Sequence, residues 1–243
     1  MTEDLTRDGF LGGRVQVWQP RVGYRAATDP VFLAAACPAV PKDSVLELGC
    51  GVGVASLCLA VRVPGVDVLG VERQRAYADL ARRNGLPVVD ADLTRLPEDI
   101  RQRSFDHVIA NPPYFVPGAG TRAEDEGREA ALREQTPLRD WLAVARARLR
   151  QKGWLTLIHQ AERLPDILSG LEGFGTVAVM PLSARDGRPA GRVVMRARKG
   201  GRGPFTLLPP LLIHEGTTHA GDGDDYSATA RAVLRNASAL PFG

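Results

Sequence analysis

The chain has 243 residues, 44% of them hydrophobic and 24% charged, with a formal net charge of +3 at pH 7. This is the make-up of an ordinary globular protein, and it excludes collagenous, disordered and disulfide-scaffold classes. No apolar run approaches the ~18–20 residues that span a bilayer. The acidic start, Met1-Thr2-Glu3-Asp4, lacks the apolar core of a secretory signal. Three cysteines, Cys37, Cys50 and Cys58, make neither an even disulfide framework nor a metal-ligand spacing. The expectation is a cytoplasmic protein with reduced thiols, no metal and no membrane contact, its oligomeric state left open.

Along residues 1–43, Arg14-Val15-Gln16-Val17-Trp18-Gln19 alternates polar and apolar, which predicts a short strand or hairpin arm. Thr28-Asp29-Pro30 then supplies a capping residue and an early proline before an alanine-rich run, a helix start. This segment reads as an N-terminal extension, a lid or extra layer on a catalytic domain over 44–243.

That domain opens with an apolar strand, Val45-Leu46-Glu47-Leu48, a glycine turn and a helix over 54–62. A second strand over 66–71 runs into Glu72, a helix over 73–84 ends at Gly85, and Val88-Val89 makes a short third strand. Residues 97–103 read as a polar connection. The apolar run 105–110 is the fourth strand. Residues 115–136 carry no apolar period and read as a long irregular loop, a length that in a compact domain is usually functional. Helices over 138–149 and 164–171 flank a buried strand over 154–158. Strands alone follow, over 176–182, 192–198 and 205–213, before a last helix over 228–234. Alternating strands and helices closed by an antiparallel pair predict an α/β fold, an open and mostly parallel sheet wrapped by helices.

The turn Glu47-Leu48-Gly49-Cys50-Gly51-Val52-Gly53 joins strand to helix, where glycine lets a ligand approach the backbone. A dinucleotide site prefers Gly-x-Gly-x-x-Gly; here the third glycine comes one residue early, which argues against a nicotinamide enzyme. Glu47 would repel a pyrophosphate and attract a cation. S-adenosylmethionine has a sulfonium, an ammonium and no phosphate, and it fits. Glu72 can accept both ribose hydroxyls, with Arg73 beside it, and Asp92 with Leu93 can meet the adenine.

Asn111-Pro112-Pro113-Tyr114 ends the fourth strand. Two prolines can neither extend a ladder nor start a helix freely, and each biases the residue before it to extended backbone. The resulting stiff turn presents an amide, carbonyls and an aromatic ring, a set suited to gripping a planar amine. Asn111 and the Pro112 carbonyl would accept its two N–H bonds while Tyr114 stacks on the ring or amide that carries it, with Phe115 next to it. A base carrying that amine would have to leave its stack to enter such a pocket.

These motifs, in this order, resemble the class I methyltransferases that modify planar nitrogen, with the Rossmann-like sheet of that class. More closely, Leu11-Gly12-Gly13-Arg14, Gln19-Pro20, Gly23-Tyr24-Arg25, Thr28-Asp29, Val71-Glu72 and Asn111-Pro112-Pro113 resemble the bacterial tRNA (adenine-N6) methyltransferases that act next to the anticodon of a valine tRNA. The resemblance implies a seven-stranded sheet, a catalytic turn after strand four, and an N-terminal segment closing over the methionine end of the cofactor. On that ground Arg25, Thr28 and Asp29 are candidate cofactor contacts.

Between Arg185 and Arg202 seven basic residues stand against one acid, Asp186, while the rest of the chain is slightly acidic. Arg192, Arg196 and Arg198 share one strand face and read either as a solvated edge or as a phosphate track for an RNA substrate. His107 reads as structural, and His214 as structural or near substrate. Methylation of ribosomal RNA or DNA adenine remains open, as does N5-methylation of a protein glutamine, whose amide the same turn would serve.

Overall fold

A computed structural model describes residues 4–114, 136–216 and 225–242. The chain begins with an antiparallel hairpin, β1 (Leu5–Phe10) and β2 (Val15–Pro20), in register from Leu5 opposite Pro20 to Phe10 opposite Val15. Val15, Val17 and Gln19 of β2 face inward, as their alternation predicts. The partner strand β1 carries no such alternation and escapes the sequence. Helix α1 (Asp29–Ala36) follows with proline in its first turn. Its residues Pro30 to Ala36 are all buried, because α1 is packed between the sheet strands β6, β7 and β9 on one side and other helices on the other.

The main sheet is built from β3 (Ser44–Leu48), β4 (Asp67–Glu72), β5 (Val88–Asp90), β6 (Phe105–Ala110), β7 (Leu149–Gln160), β8 (Phe174–Ser183), β9 (Ala190–Lys199), β10 (Thr206–Leu207) and β11 (Leu211–Leu212). Its order is β10-β8-β9-β7-β6-β3-β4-β5, with β11 also on β8. Strands β3 to β7 pair in parallel, and β9 runs antiparallel between β7 and β8. The seven strands implied by the resemblance are β3 to β9; β10 and β11 are two-residue additions at the edge.

Helices α2 (Val54–Arg62), α3 (Arg75–Arg83), α4 (Glu98–Gln102), α5 (Leu138–Arg148), α6 (Leu164–Ser169) and α7 (Ala228–Asn236) complete the chain. One core joins the hairpin, α1, α2 and α7 to one sheet face, and a second joins α4, α5 and α6 to the other. Both faces of the sheet are covered, as a parallel sheet requires.

Three expectations are corrected. Residues 97–103 are not a plain connection but hold α4, whose single buried apolar residue, Ile100, gives no period to read. Residues 205–213 do not make one strand, because Pro209 and Pro210 lack ladder donors and divide the segment into β10 and β11. The strand expected over 154–158 extends to β7, where Lys152 at φ 67° and Gly153 mark an irregularity. The loop expected over 115–136, apart from Thr136, lies outside the described residues.

Chain order places the site. From β3 the chain goes outward through β4 to β5, then returns to β6 on the other flank of β3. Ligands of open α/β sheets bind beyond the carboxyl ends of strands at such a reversal. Leu48 pairs with Ala110, so the glycine turn and the Asn-Pro-Pro-Tyr turn leave the sheet side by side.

Candidate active site

The glycine turn is held open by contacts that only glycine tolerates. Gly49 has φ 63°, and a Cβ there would stand 2.5 Å from the Trp141 ring. Cys50 N–H donates to the Val71 carbonyl at 3.0 Å, fixing the turn to the end of β4.

Three acids stand at successive strand ends. Glu47 is 3% exposed and its Oε2 accepts both the Ser56 N–H at 3.0 Å and the Ser56 hydroxyl at 2.6 Å. Burial pushes its carboxyl up to about 8 against those two bonds, with the Glu72 charge adding to the rise. Glu72 accepts the Gly51 N–H on Oε2 at 2.9 Å and the Gln74 N–H on Oε1 at 2.8 Å. Burial raises its carboxyl too, opposed by these backbone donors. Asp92 is more open: burial works against its charge, but Thr94 donors and the Arg73 and Arg95 charges outweigh it and hold the carboxyl below its ordinary value.

The Asn111–Tyr114 turn completes the cleft. Tyr114 Oη lies 2.8 Å from Asn111 Oδ1 and 2.5 Å from Asp29 Oδ2. The Arg192 guanidinium sits 4.6 Å from the Tyr114 ring centre, and the His159 ring meets it edge-on at 5.1 Å. His159 is buried and neutral: burial pushes it down to about 4, opposed by the Pro113 carbonyl beside it.

Of the residues expected from sequence, Glu47, Gly49, Cys50, Gly51, Glu72, Arg73, Asp92, Leu93, Asn111, Pro112, Pro113 and Tyr114 line this one cleft. Gly53 does not; at φ 91° it caps α2 and packs on Leu86. Arg25 is bound to Asp8 at 2.7 Å and to Thr6, stapling the hairpin. Thr28 offers its carbonyl to the Val31 and Phe32 N–H groups at the start of α1, and Asp29 faces Tyr114 and Arg192. Phe115 lies outside the described residues.

The arginine face is divided along β9. Arg192, opposite Gln160, reaches Tyr114 and pairs with Asp29 at 3.1 Å. Arg196, opposite Thr156, donates to the Ala36 carbonyl at 2.5 Å and lies over Phe242; burial pushes it down to about 10. Arg198 donates to the Lys152 carbonyl and lies over Trp154. His107 bonds Asp43 at the opposite end of β6, and His214 bonds Asp225 and stacks on Tyr226.

Sequence reasoning missed Tyr24, Tyr77 and Trp141, which also line the cleft. Tyr24 N–H donates to Tyr77 Oη at 3.0 Å, joining the N-terminal segment to α3. Tyr24 stood inside a quoted motif, but Tyr77 and Trp141 gave only the signal of apolar helix faces.

Two buried carboxyls at the base of the cleft disfavour a phosphate-bearing ligand and suit one with a cationic amino-acid end and a ribose diol. The glycine cradle, which a Cβ would fill, leaves room for that end against the backbone. S-adenosylmethionine meets these terms, and Glu47, the glycine turn, Glu72, Asp92 and Leu93 all line the cleft that would hold it. Among the described residues no cluster could hold a metal ion, and no helix is long and apolar enough to cross a membrane.

Comparison with known proteins agrees. The family model of the methyltransferase small domain matches residues 28–181. A tRNA1(Val) (adenine(37)-N6)-methyltransferase of Dickeya chrysanthemi is 28% identical over 97% of this chain and 96% of its own length. Its counterpart in Porphyromonas gingivalis is 31% identical over 67% of this chain and 69% of that one. Among solved structures, an Agrobacterium tumefaciens protein described as a predicted O-methyltransferase superposes with a TM-score of 0.71 at 25% identity, over 87% of this chain and 98% of that one. A T. thermophilus 16S rRNA guanine-N2 methyltransferase, in complex with AdoMet and guanosine, gives a TM-score of 0.55 at 22% identity, over 82% and 46%. A carboxylate-lined glycine cradle beside an Asn-Pro-Pro-Tyr turn, on this fold and with these relatives, makes the chain an S-adenosylmethionine-dependent methyltransferase, a member of the methyltransferase small domain family.

Proposed function

We propose that the protein methylates N6 of an adenine in RNA, most specifically in a tRNA next to the anticodon. The observation that carries this reading is the pairing of Leu48 with Ala110, which sets the Asn111–Tyr114 turn beside the glycine turn. Relatives named for tRNA1(Val) adenine-37 support the substrate. The reading makes RNA the partner and the cytoplasm the working compartment.

Bound S-adenosylmethionine supplies an electrophilic methyl group on a sulfonium. The chain's own part is to hold the acceptor. An exocyclic adenine amine is a poor nucleophile, because its lone pair is delocalised into the ring. Asn111 Oδ1 and the Pro112 carbonyl accept its two N–H bonds, which favours a pyramidal nitrogen as positive charge develops. Tyr114 offers a ring for stacking, worth ~1–3 kcal/mol. The rate then comes mainly from positioning, and the amine needs no strong general base. Residues 1–43 serve in this proposal as an extension closing the cleft, supported by Tyr24, Ala26 and Pro30 in its wall.

The test is nucleoside analysis of tRNA from a strain lacking the protein, complemented with wild type or with Asn111→Ala. N6-methyladenosine at an anticodon-loop position should vanish in the deletion and return with wild type alone. An unchanged nucleoside profile would refute the tRNA assignment.

A further inference from the structure

The Tyr114 hydroxyl lies between two oxygens, Asp29 Oδ2 at 2.5 Å and Asn111 Oδ1 at 2.8 Å. It has one proton and can donate to only one of them. Asp29 is the anionic half of an ion pair with Arg192, and it opens α1, where the helix dipole favours an anion. An ionised carboxylate is the stronger acceptor, and the contact to it is the shorter. Burial, followed by the Asp29 charge, raises the Tyr114 phenol, so the hydroxyl keeps its proton and gives it to Asp29.

That leaves the contact with Asn111. Two oxygens at 2.8 Å with no proton between them repel. The two ends of a carboxamide are alike in shape, so half a turn of the side-chain amide costs no packing and brings Nδ2 to face the phenol oxygen. Nδ2–H then donates to Tyr114 Oη, and Oδ1 is directed away from Tyr114. The reverse orientation would present N–H donors to an amine that itself donates.

We propose that Asp29 is a positioning residue: acting through the Tyr114 hydroxyl, it turns the Asn111 carboxamide so that Oδ1 faces the substrate amine. This rests on the functional reading above for what Oδ1 accepts. Arg192 supports the arrangement from the far side, with its Nε 3.1 Å from the same Asp29 oxygen and its guanidinium over the Tyr114 ring. The side-chain contacts of Asp29 run to Tyr114 and Arg192, the route by which its influence reaches Asn111.

The test is a double-mutant cycle in the full-length protein with Asp29→Asn, Tyr114→Phe and the pair. Each single variant should lower kcat by roughly 10–100-fold while changing the KM for S-adenosylmethionine less than about threefold. The double variant should be no more than about twofold slower than Tyr114→Phe alone. Asp29→Glu, which keeps the charge, should recover part of the rate. Fully multiplicative losses, or a raised cofactor KM at unchanged kcat, would overturn the proposal. The same cycle read by chemical denaturation needs no substrate. Non-additive stabilities are expected, and additive ones would overturn the Asp29–Tyr114 bond. If wild type methylates no RNA while the denaturation cycle still shows coupling, the adenine reading fails and the relay stands.

Discussion

Glu72 Oε2 accepts the Gly51 N–H at 2.9 Å, so the acid that ends β4 also holds the glycine turn that follows β3. One carboxylate thus shapes the backbone cradle and offers oxygens to whatever enters it. Glu72→Ala should loosen the turn and remove a ribose acceptor together. Affinity for S-adenosylmethionine, measured by calorimetry, is expected to fall by roughly 10–100-fold, the cost of losing a charged hydrogen-bond partner. An unchanged affinity would remove Glu72 from the cofactor site.

Glu47 carries a buried carboxyl that costs stability when it ionises. Burial pushes its folded carboxyl up to about 8, above the unfolded value. A raised carboxyl contributes stability that is present below the unfolded pKa and is lost as pH rises through the window up to about 8. Glu47→Gln removes that loss, and its melting temperature should exceed that of wild type by a margin that grows from pH 6 to pH 8.

The same group predicts a pH dependence of binding. A cationic amino-acid end favours ionised Glu47, so cofactor affinity should rise on the order of tenfold between pH 6 and 7.5. In Glu47→Gln the profile should be flat and the affinity lower throughout. A wild-type affinity that is flat or falls over this range would contradict the assignment.

Gly49 is constrained twice, by its φ of 63° and by the Trp141 ring 2.5 Å from where a Cβ would stand. Gly49→Ala should destabilise the protein by ~1–3 kcal/mol in chemical denaturation, the range for strained backbone. Pairing it with Trp141→Leu should return only part of this, because the clash is relieved and the φ is not.

Arg196 spends its donor on the Ala36 carbonyl and its plane on Phe242. Arg196→Ala should therefore cost ~1–2 kcal/mol of stability. The salt dependence of RNA binding should stay as in wild type, since that slope counts phosphate contacts. A flattened slope would return Arg196 to the RNA.

What was legible in the sequence was whatever is encoded locally. Strand β6 could be read to the residue because an apolar run meets two prolines, and β3 to within one residue because glycines and an acid sit at fixed offsets at its end. The paired arginines of β9 were placed on the correct face by simple alternation. What covers that face was invisible, because Ala36 and Phe242 lie far away in the chain. The same holds for Asp29, which meets Tyr114 across 85 positions. Strand β1 and helix α4 were missed because tertiary pairing and one buried isoleucine, not a periodic pattern, define them.

The most direct test of the central claim is methyl transfer in vitro. Purified protein would be incubated with labelled S-adenosylmethionine and total tRNA from a strain lacking it, and the product digested to nucleosides. Label in N6-methyladenosine, abolished by Asn111→Ala with cofactor affinity kept within a few-fold, is the result predicted here. Label in another nucleoside, or no label on tRNA from protein that binds the cofactor normally, would contradict it.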